Sequence, residues 1–113
     1  EMNMSFSITT PQMYARKKTH TIRLGWDKLK PGMIVCAIEK GQGLKKGEHV
    51  VRIGDIRILA AEWKPLNSIT QEIVIREGFP DWTPAQFIEM FVTHNHCEPT
   101  RLSNFISFEP LYV

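Results

Sequence analysis

Cysteine is scarce: Cys36 and Cys97 are the only two thiols in 113 residues. Two thiols cannot form the disulfide framework of a small secreted scaffold, and they point to a reducing, intracellular setting. No stretch approaches the ~20 apolar residues that a membrane helix needs, so no membrane partner is expected. Residues 1–4 lack a basic start and no long apolar run follows, so no secretory leader is read there. The expectation is a cytoplasmic protein. Internal repeats, low-complexity tracts and linkers are missing as well, which with the length predicts one domain over residues 1–113. A large net charge is also missing. The formal value is +2, too small to drive strong non-specific binding to nucleic acid.

What is present is an ordinary globular composition, 42% hydrophobic and 23% charged, long enough to bury one sizeable core. The charge is unevenly spread. Residues 1–56 hold ten Lys/Arg and five Asp/Glu, a balance of +5; residues 57–113 hold four and seven, a balance of −3. A basic half beside an acidic half suggests a side that faces a polyanion. An ordinary solvated surface explains it equally well.

The hydrophobic pattern predicts about six short strands and two or three short helices. Phe6–Ile8 suits a first strand. Thr9-Thr10-Pro11-Gln12 reads as a capping box opening a helix over Pro11–Lys17, with Met13 and Tyr14 inward. Met33–Ile38 is a buried strand. His49–Trp63 reads as two strands split at Gly54-Asp55, with Val51, Ile53, Ile56, Ile58 and Ala60 inward. Ser68–Gln71 offers a second capping box for a helix to about Glu77, stopped by Gly78-Phe79-Pro80. Thr83-Pro84-Ala85-Gln86 is the clearest helix start, and Phe87, Met90 and Phe91 then share a core-facing stripe. Phe105–Glu109 is the last strand. Strands and helices do not alternate regularly, so a doubly wound parallel sheet is not expected. The expected class is α+β: a small curved sheet or barrel with helices at its openings.

Chemistry concentrates in Lys17-Lys18-Thr19-His20-Thr21-Ile22-Arg23. Strand alternation puts Thr21 and Arg23 on one face, and a bend near Lys18 would bring its amine towards Thr21. A lysine acts as a base only when its pKa falls well below ~10.4, which burial or the adjacent cations Arg16, Lys17 and Arg23 can achieve. A neutral Lys18 could then take the Thr21 proton, and a nearby acid could protonate a leaving amine. On spacing alone a surface strand is the better reading.

Other clusters carry less. Gly41, Gly43 and Gly47 with Lys45 and Lys46 match neither phosphate-loop motif; they read as a hairpin connection or a basic flap. His94, His96 and Cys97 lack the distant ligand zinc needs, so no metal is expected, and His94-Asn95 reads as a helix end. Trp63 and Trp82 are expected in the core. Trp26, directly after the cationic strand, is left open as a base-stacking residue.

The order of segments resembles the ASCH family, whose fold is related to the PUA domain. The resemblance is carried by Ser7–Gln12, Lys18-Thr19-His20-Thr21-Ile22-Arg23, Leu29-Lys30-Pro31-Gly32, Gly43–Glu48, Glu77-Gly78-Phe79, the Phe87–Phe91 helix and the Phe105–Glu109 strand. It spans about residues 4–109. It implies a small β-barrel with a cleft that binds RNA or a modified nucleoside, without a cofactor. Some members hydrolyse N4-acylated cytidines and others are reported as ribonucleases. For the amidohydrolase type it implies Lys18 as base, Thr21 as nucleophile and Glu77 as acid or orienter, with Arg23 on substrate or phosphate. Arg16, Lys45, Lys46 and Trp26 are the further expected contacts. Two positions depart from the common pattern: Arg16 stands where glycine is usual, and Thr21 where glutamate is more frequent.

Overall fold

The capping box at Thr83 opens the longest helix. In the computed structural model, which describes residues 2–113, Thr83 Oγ1 accepts the Gln86 amide at 3.2 Å and Gln86 Oε1 accepts the Thr83 amide at 2.8 Å. Donors at the helix start are thereby satisfied, and Pro84 sits where a missing N–H costs nothing. The elements run β1 (Asn3–Ser5), α1 (Thr10–Tyr14), β2 (His20–Arg23), β3 (Ile34–Ile38), β4 (Arg52–Pro65), α2 (Gln71–Arg76), α3 (Pro84–Asn95) and β5 (Leu102–Pro110), with a 3-10 turn at Leu66–Ser68.

The strands form one mixed sheet in the order β1-β3-β4-β5-β2. β1 lies parallel to β3, and the other pairings are antiparallel. The class is α+β as expected, but the described residues form five strands rather than six, and the sheet is not a closed barrel. Closure would need the edges β1 and β2 to exchange backbone hydrogen bonds. Side chains occupy that seam instead. The Arg23 guanidinium donates from β2 to the Ser5 carbonyl of β1 at 2.6 Å and lies 4.8 Å from the centre of the Phe6 ring.

The missing strand has a local cause. The expected split at Gly54-Asp55 is absent, and β4 runs unbroken for 14 residues. Gly54 marks a close approach rather than a turn, because a Cβ there would lie 2.5 Å from Tyr112 Cδ1. Ile53, Ile56 and Ile58 are buried as expected. An irregularity between Ile58 and Ala60 then reverses the alternation. Ala60 faces solvent and Ala61 packs inward instead; Val51 precedes the strand and is exposed.

Other boundaries shift too. The first strand ends at Ser5, so Phe6 turns into the core while Ile8 stays exposed. The Thr9–Gln12 capping box does not form, because the Gln12 amide donates to the Gly78 carbonyl at 3.2 Å. α1 stops at Tyr14, which faces outward and donates to Glu39 Oε2. Thr70, not Ser68, caps α2. Phe105 and Ile106 are neighbours on β5 but belong to different clusters, so the sheet is packed on both faces. Met4, Phe6, Ile56 and Phe108 fill one side. Val74, Phe79, Phe87 and Phe91, from α2, α3 and the turn between them, cover the other.

Candidate functional site

Two helix ends build the site. α1 closes with a Schellman turn: the Lys17 amide donates to the Gln12 carbonyl and the Arg16 amide to the Met13 carbonyl, both at 3.0 Å. This turn wants a left-handed residue, usually glycine, and Arg16 takes it at φ 58°. α2 closes the same way. Phe79 N–H donates to the Val74 carbonyl at 3.2 Å and Gly78 N–H to the Ile75 carbonyl at 3.0 Å, with Gly78 at φ 101°. Glu77 is the residue just before that glycine. The chain leaving α1 then seals the end of α2: Thr19 N–H donates to the Arg76 carbonyl at 2.8 Å, and Lys18 Nζ to the Glu77 carbonyl at 2.8 Å. Terminal helix carbonyls lack intrahelical partners, and an ammonium suits that negative end. Lys18 is therefore turned inward by backbone demand.

The same ammonium donates to Glu77 Oε1 at 2.6 Å. Lys18 is 3% exposed and Glu77 2%. Burial lowers the Lys18 pKa and raises that of Glu77, and the attraction between them opposes both shifts. Among the described residues Glu77 Oε2 has no hydrogen-bond partner. The Ile22 amide favours the ionised carboxylate without satisfying that oxygen. Leaving a buried acceptor unmet costs roughly 1–3 kcal/mol.

β2 supplies the adjoining wall. Thr21, 3% exposed, shares a face with Arg23. Arg23 Nε donates to Thr21 Oγ1 at 3.0 Å, and burial brings the guanidinium pKa down to about 10. His20 takes the opposite face, its Nδ1 3.1 Å from Thr19 Oγ1; burial and then Arg76 lower its pKa. Lys18, Thr21, Arg23 and Glu77 all line one cavity of about 910 Å³, within the range of small-molecule sites. Phe6, Phe79 and Phe91 add apolar wall, and Lys40 and Gln42 enter from the loop after β3.

No protein-family model matches the chain, and no curated protein matches its sequence. Solved structures do match it. The crystal structure of an ASCH domain from Lactobacillus crispatus JV V101 superposes with a TM-score of 0.67 at 14% identity, over 99% of this chain and 81% of that one. A DUF984 protein from Enterococcus faecalis V583 gives 0.63 at 19% identity, over 89% of this chain and 68% of that one.

The fold is ASCH-like.

Within the ASCH-like fold, Lys18, Thr21, Arg23 and Glu77 surround one cavity, although they come from two separate segments. Lys18 Nζ meets Glu77 but makes no hydrogen bond to Thr21 Oγ1. The other expected contacts lie outside the cavity lining. Arg16 is exposed because its backbone is committed to the left-handed turn. Lys45 and Lys46 are exposed on a loop that closes on itself, where the Lys45 amide donates to Glu48 Oε1. Trp26, at φ 64°, packs against the first hydrophobic cluster and its carbonyl accepts Asn104 Nδ2 at 3.1 Å. Trp82 stacks on Phe79 with ring centres 4.1 Å apart. Trp63, expected inside, is 39% exposed at the end of β4 beyond the register shift. His96 caps α3 in a left-handed conformation, and among the described residues no three His, Cys, Asp or Glu side chains gather at a possible metal site. Sequence reasoning missed Ser5, Phe6 and Lys40 as cavity residues. Only Lys40, a cation beside Gly41, carried a signal.

Proposed function

We propose that the cleft binds one nucleotide-sized unit, a modified nucleoside or a residue of RNA, with an exocyclic amine of the base on Glu77. One observation carries this reading: Glu77 Oε2 is a buried acceptor without a partner, and Glu77 lines a cavity of suitable size. A cytosine amino group supplies the missing donor, and the motif resemblance supplies the ligand class. The test is calorimetric titration with cytidine. Binding should weaken at least about tenfold in Glu77→Gln, because the amide presents N–H towards N–H and a hydrogen bond to a charged group is lost. Absence of binding, or equal binding by the variant, would remove the reading.

A second reading, hydrolysis of an N4-acylated cytidine, is favoured by the Lys18–Glu77 contact beside Thr21. The Arg23 Nε–H occupies a lone pair of Thr21 Oγ1 and leaves the hydroxyl proton free to be donated. In this chemistry Thr21 Oγ attacks the acyl carbon and its proton passes to neutral Lys18. The C–N bond then breaks, the departing amine takes a proton from Glu77, and water releases the acyl group from Thr21. Substrate binding must first bring Lys18 to Thr21. The experiment is incubation with N4-acetylcytidine, reading cytidine release, with Lys18→Met and Thr21→Ala as inactive controls. No release by the unmutated protein sinks it. Ribonuclease chemistry draws less support, since among the described residues His94 is the only histidine in the cavity lining.

A further inference from the structure

Among the described residues, the cavity lining holds three cations, Lys18, Arg23 and Lys40, and one acid, Glu77. Lys18 is matched by Glu77. Arg23 and Lys40 line the same cavity, and among the described residues neither has a carboxylate within ion-pair distance. A guanidinium carries five N–H donors. Arg23 uses one on Thr21 Oγ1 and one on the Ser5 carbonyl, which leaves the remainder unspent. Those two bonds hold its plane fixed across the seam between the sheet edges, above the Phe6 ring. Lys40 belongs to the same corner. A Cβ on the adjoining Gly41 would lie 3.6 Å from Ser5 Cβ, so the loop carrying Lys40 abuts the residue that Arg23 grips. A fixed fork with free donors, lining one cavity with the exposed Lys40, is an arrangement suited to a tetrahedral oxyanion.

We propose that Arg23 and Lys40 form an anion subsite at the β1–β2 seam that holds the phosphate of a nucleotide whose base lies at Glu77. This rests on the nucleoside reading above and narrows it, because it makes the ligand a nucleotide. The phosphate can come from a free mononucleotide or from the RNA backbone. Burial lowers the Arg23 pKa and the charge of Glu77 partly offsets this from beyond ion-pair distance, so a phosphate on the free donors would add direct charge support.

The test compares cytidine, its 3′- and 5′-monophosphates and a short oligocytidine by calorimetry at one fixed salt concentration. At least one monophosphate should bind about tenfold or more tightly than cytidine, the worth of one charge-assisted contact. Lys40→Ala should reduce that advantage, read as the ratio of monophosphate to cytidine affinity. Arg23→Lys, which keeps the charge but loses the fork, should also reduce it. Where a monophosphate outbinds cytidine, a still stronger response to the oligocytidine assigns the phosphate to RNA, and a weaker one assigns it to a free nucleotide; each then supports the subsite. Equal binding of cytidine and its monophosphates overturns the subsite and leaves the nucleoside reading standing. No binding by any of the four removes both.

Discussion

Lys17-Lys18 and Lys45-Lys46 are the two dilysine pairs of the chain, and they end in opposite environments. Lys18 is buried with its ammonium on Glu77, whereas Lys45 and Lys46 project from an exposed loop. The difference is made by the backbone around them. Lys18 follows a helix-ending turn and faces the open end of a second helix, whose carbonyls need donors. The loop holding Lys45 closes through Glu48 and gives its lysines nothing to cap. Charge clusters in a sequence therefore say little about where the charge goes, and the helix ends beside them say more.

The comparison breaks first at the buried pair. Lys18→Met should cost about 3–5 kcal/mol in chemical denaturation, because Glu77 is left buried and unpaired. Lys18→Met with Glu77→Leu should recover most of that loss, since apolar replacement of a buried ion pair is often neutral or better. A double variant as unstable as the single would show that the pair itself holds the fold.

Single variants at this pair should also respond to pH with opposite signs. In Glu77→Gln the lysine loses the partner that supported its charge, and its pKa falls further below the ordinary 10.5. The unfolded chain then binds more protons in between, so stability is fully present above that ordinary value and is lost as pH falls towards the folded pKa. In Lys18→Met the Glu77 pKa rises further above its ordinary 4.5. The folded chain then binds more protons, so stability is greatest below that value and is lost as pH rises through the folded pKa. Urea midpoints at about pH 5.5 and 8.5 should move in opposite directions for the two variants. Parallel movement would mean that neither group titrates in a buried site.

The helix ends come next. Gly78→Ala should cost roughly 1–3 kcal/mol, since alanine must adopt the left-handed conformation and its Cβ would meet Gln12 Cγ at 2.9 Å. Arg16→Gly should stabilise by up to about 1 kcal/mol, because glycine relieves the strain at φ 58°. A loss there would show that the Arg16 side chain does something its exposure hides. Lys45→Ala with Lys46→Ala completes the series: each should shift stability by no more than about 0.5 kcal/mol.

The comparison also explains which parts of the molecule could be read from the chain. The Thr83 capping box and the Phe87–Phe91 stripe were readable because each depends on neighbours three or four residues away. Thr21 and Arg23 were readable as one face of a strand, and motif order tied them to Glu77. Open closure was not, since it depends on whether β1 and β2, 15 residues apart in the chain, hydrogen-bond in space. The reversal after Ile58 was hidden for a related reason: a bulge is set by the partner strand and leaves no local mark. Gln12 has the residue type for a capping box, and the tertiary contact with Gly78 won. Lys40 went unnoticed because the approach of its loop to Ser5 exists only after folding.

The central proposal is that the buried Lys18–Glu77 pair serves ligand binding rather than stability. Cytidine binding by the Lys18→Met/Glu77→Leu variant, set beside that of the Lys45→Ala/Lys46→Ala variant, tests it most directly. The account predicts a folded first variant that has lost at least about tenfold in affinity and a second that binds like the unmutated protein. The reverse outcome, with binding kept when the pair is gone and lost when the loop lysines are gone, would contradict it.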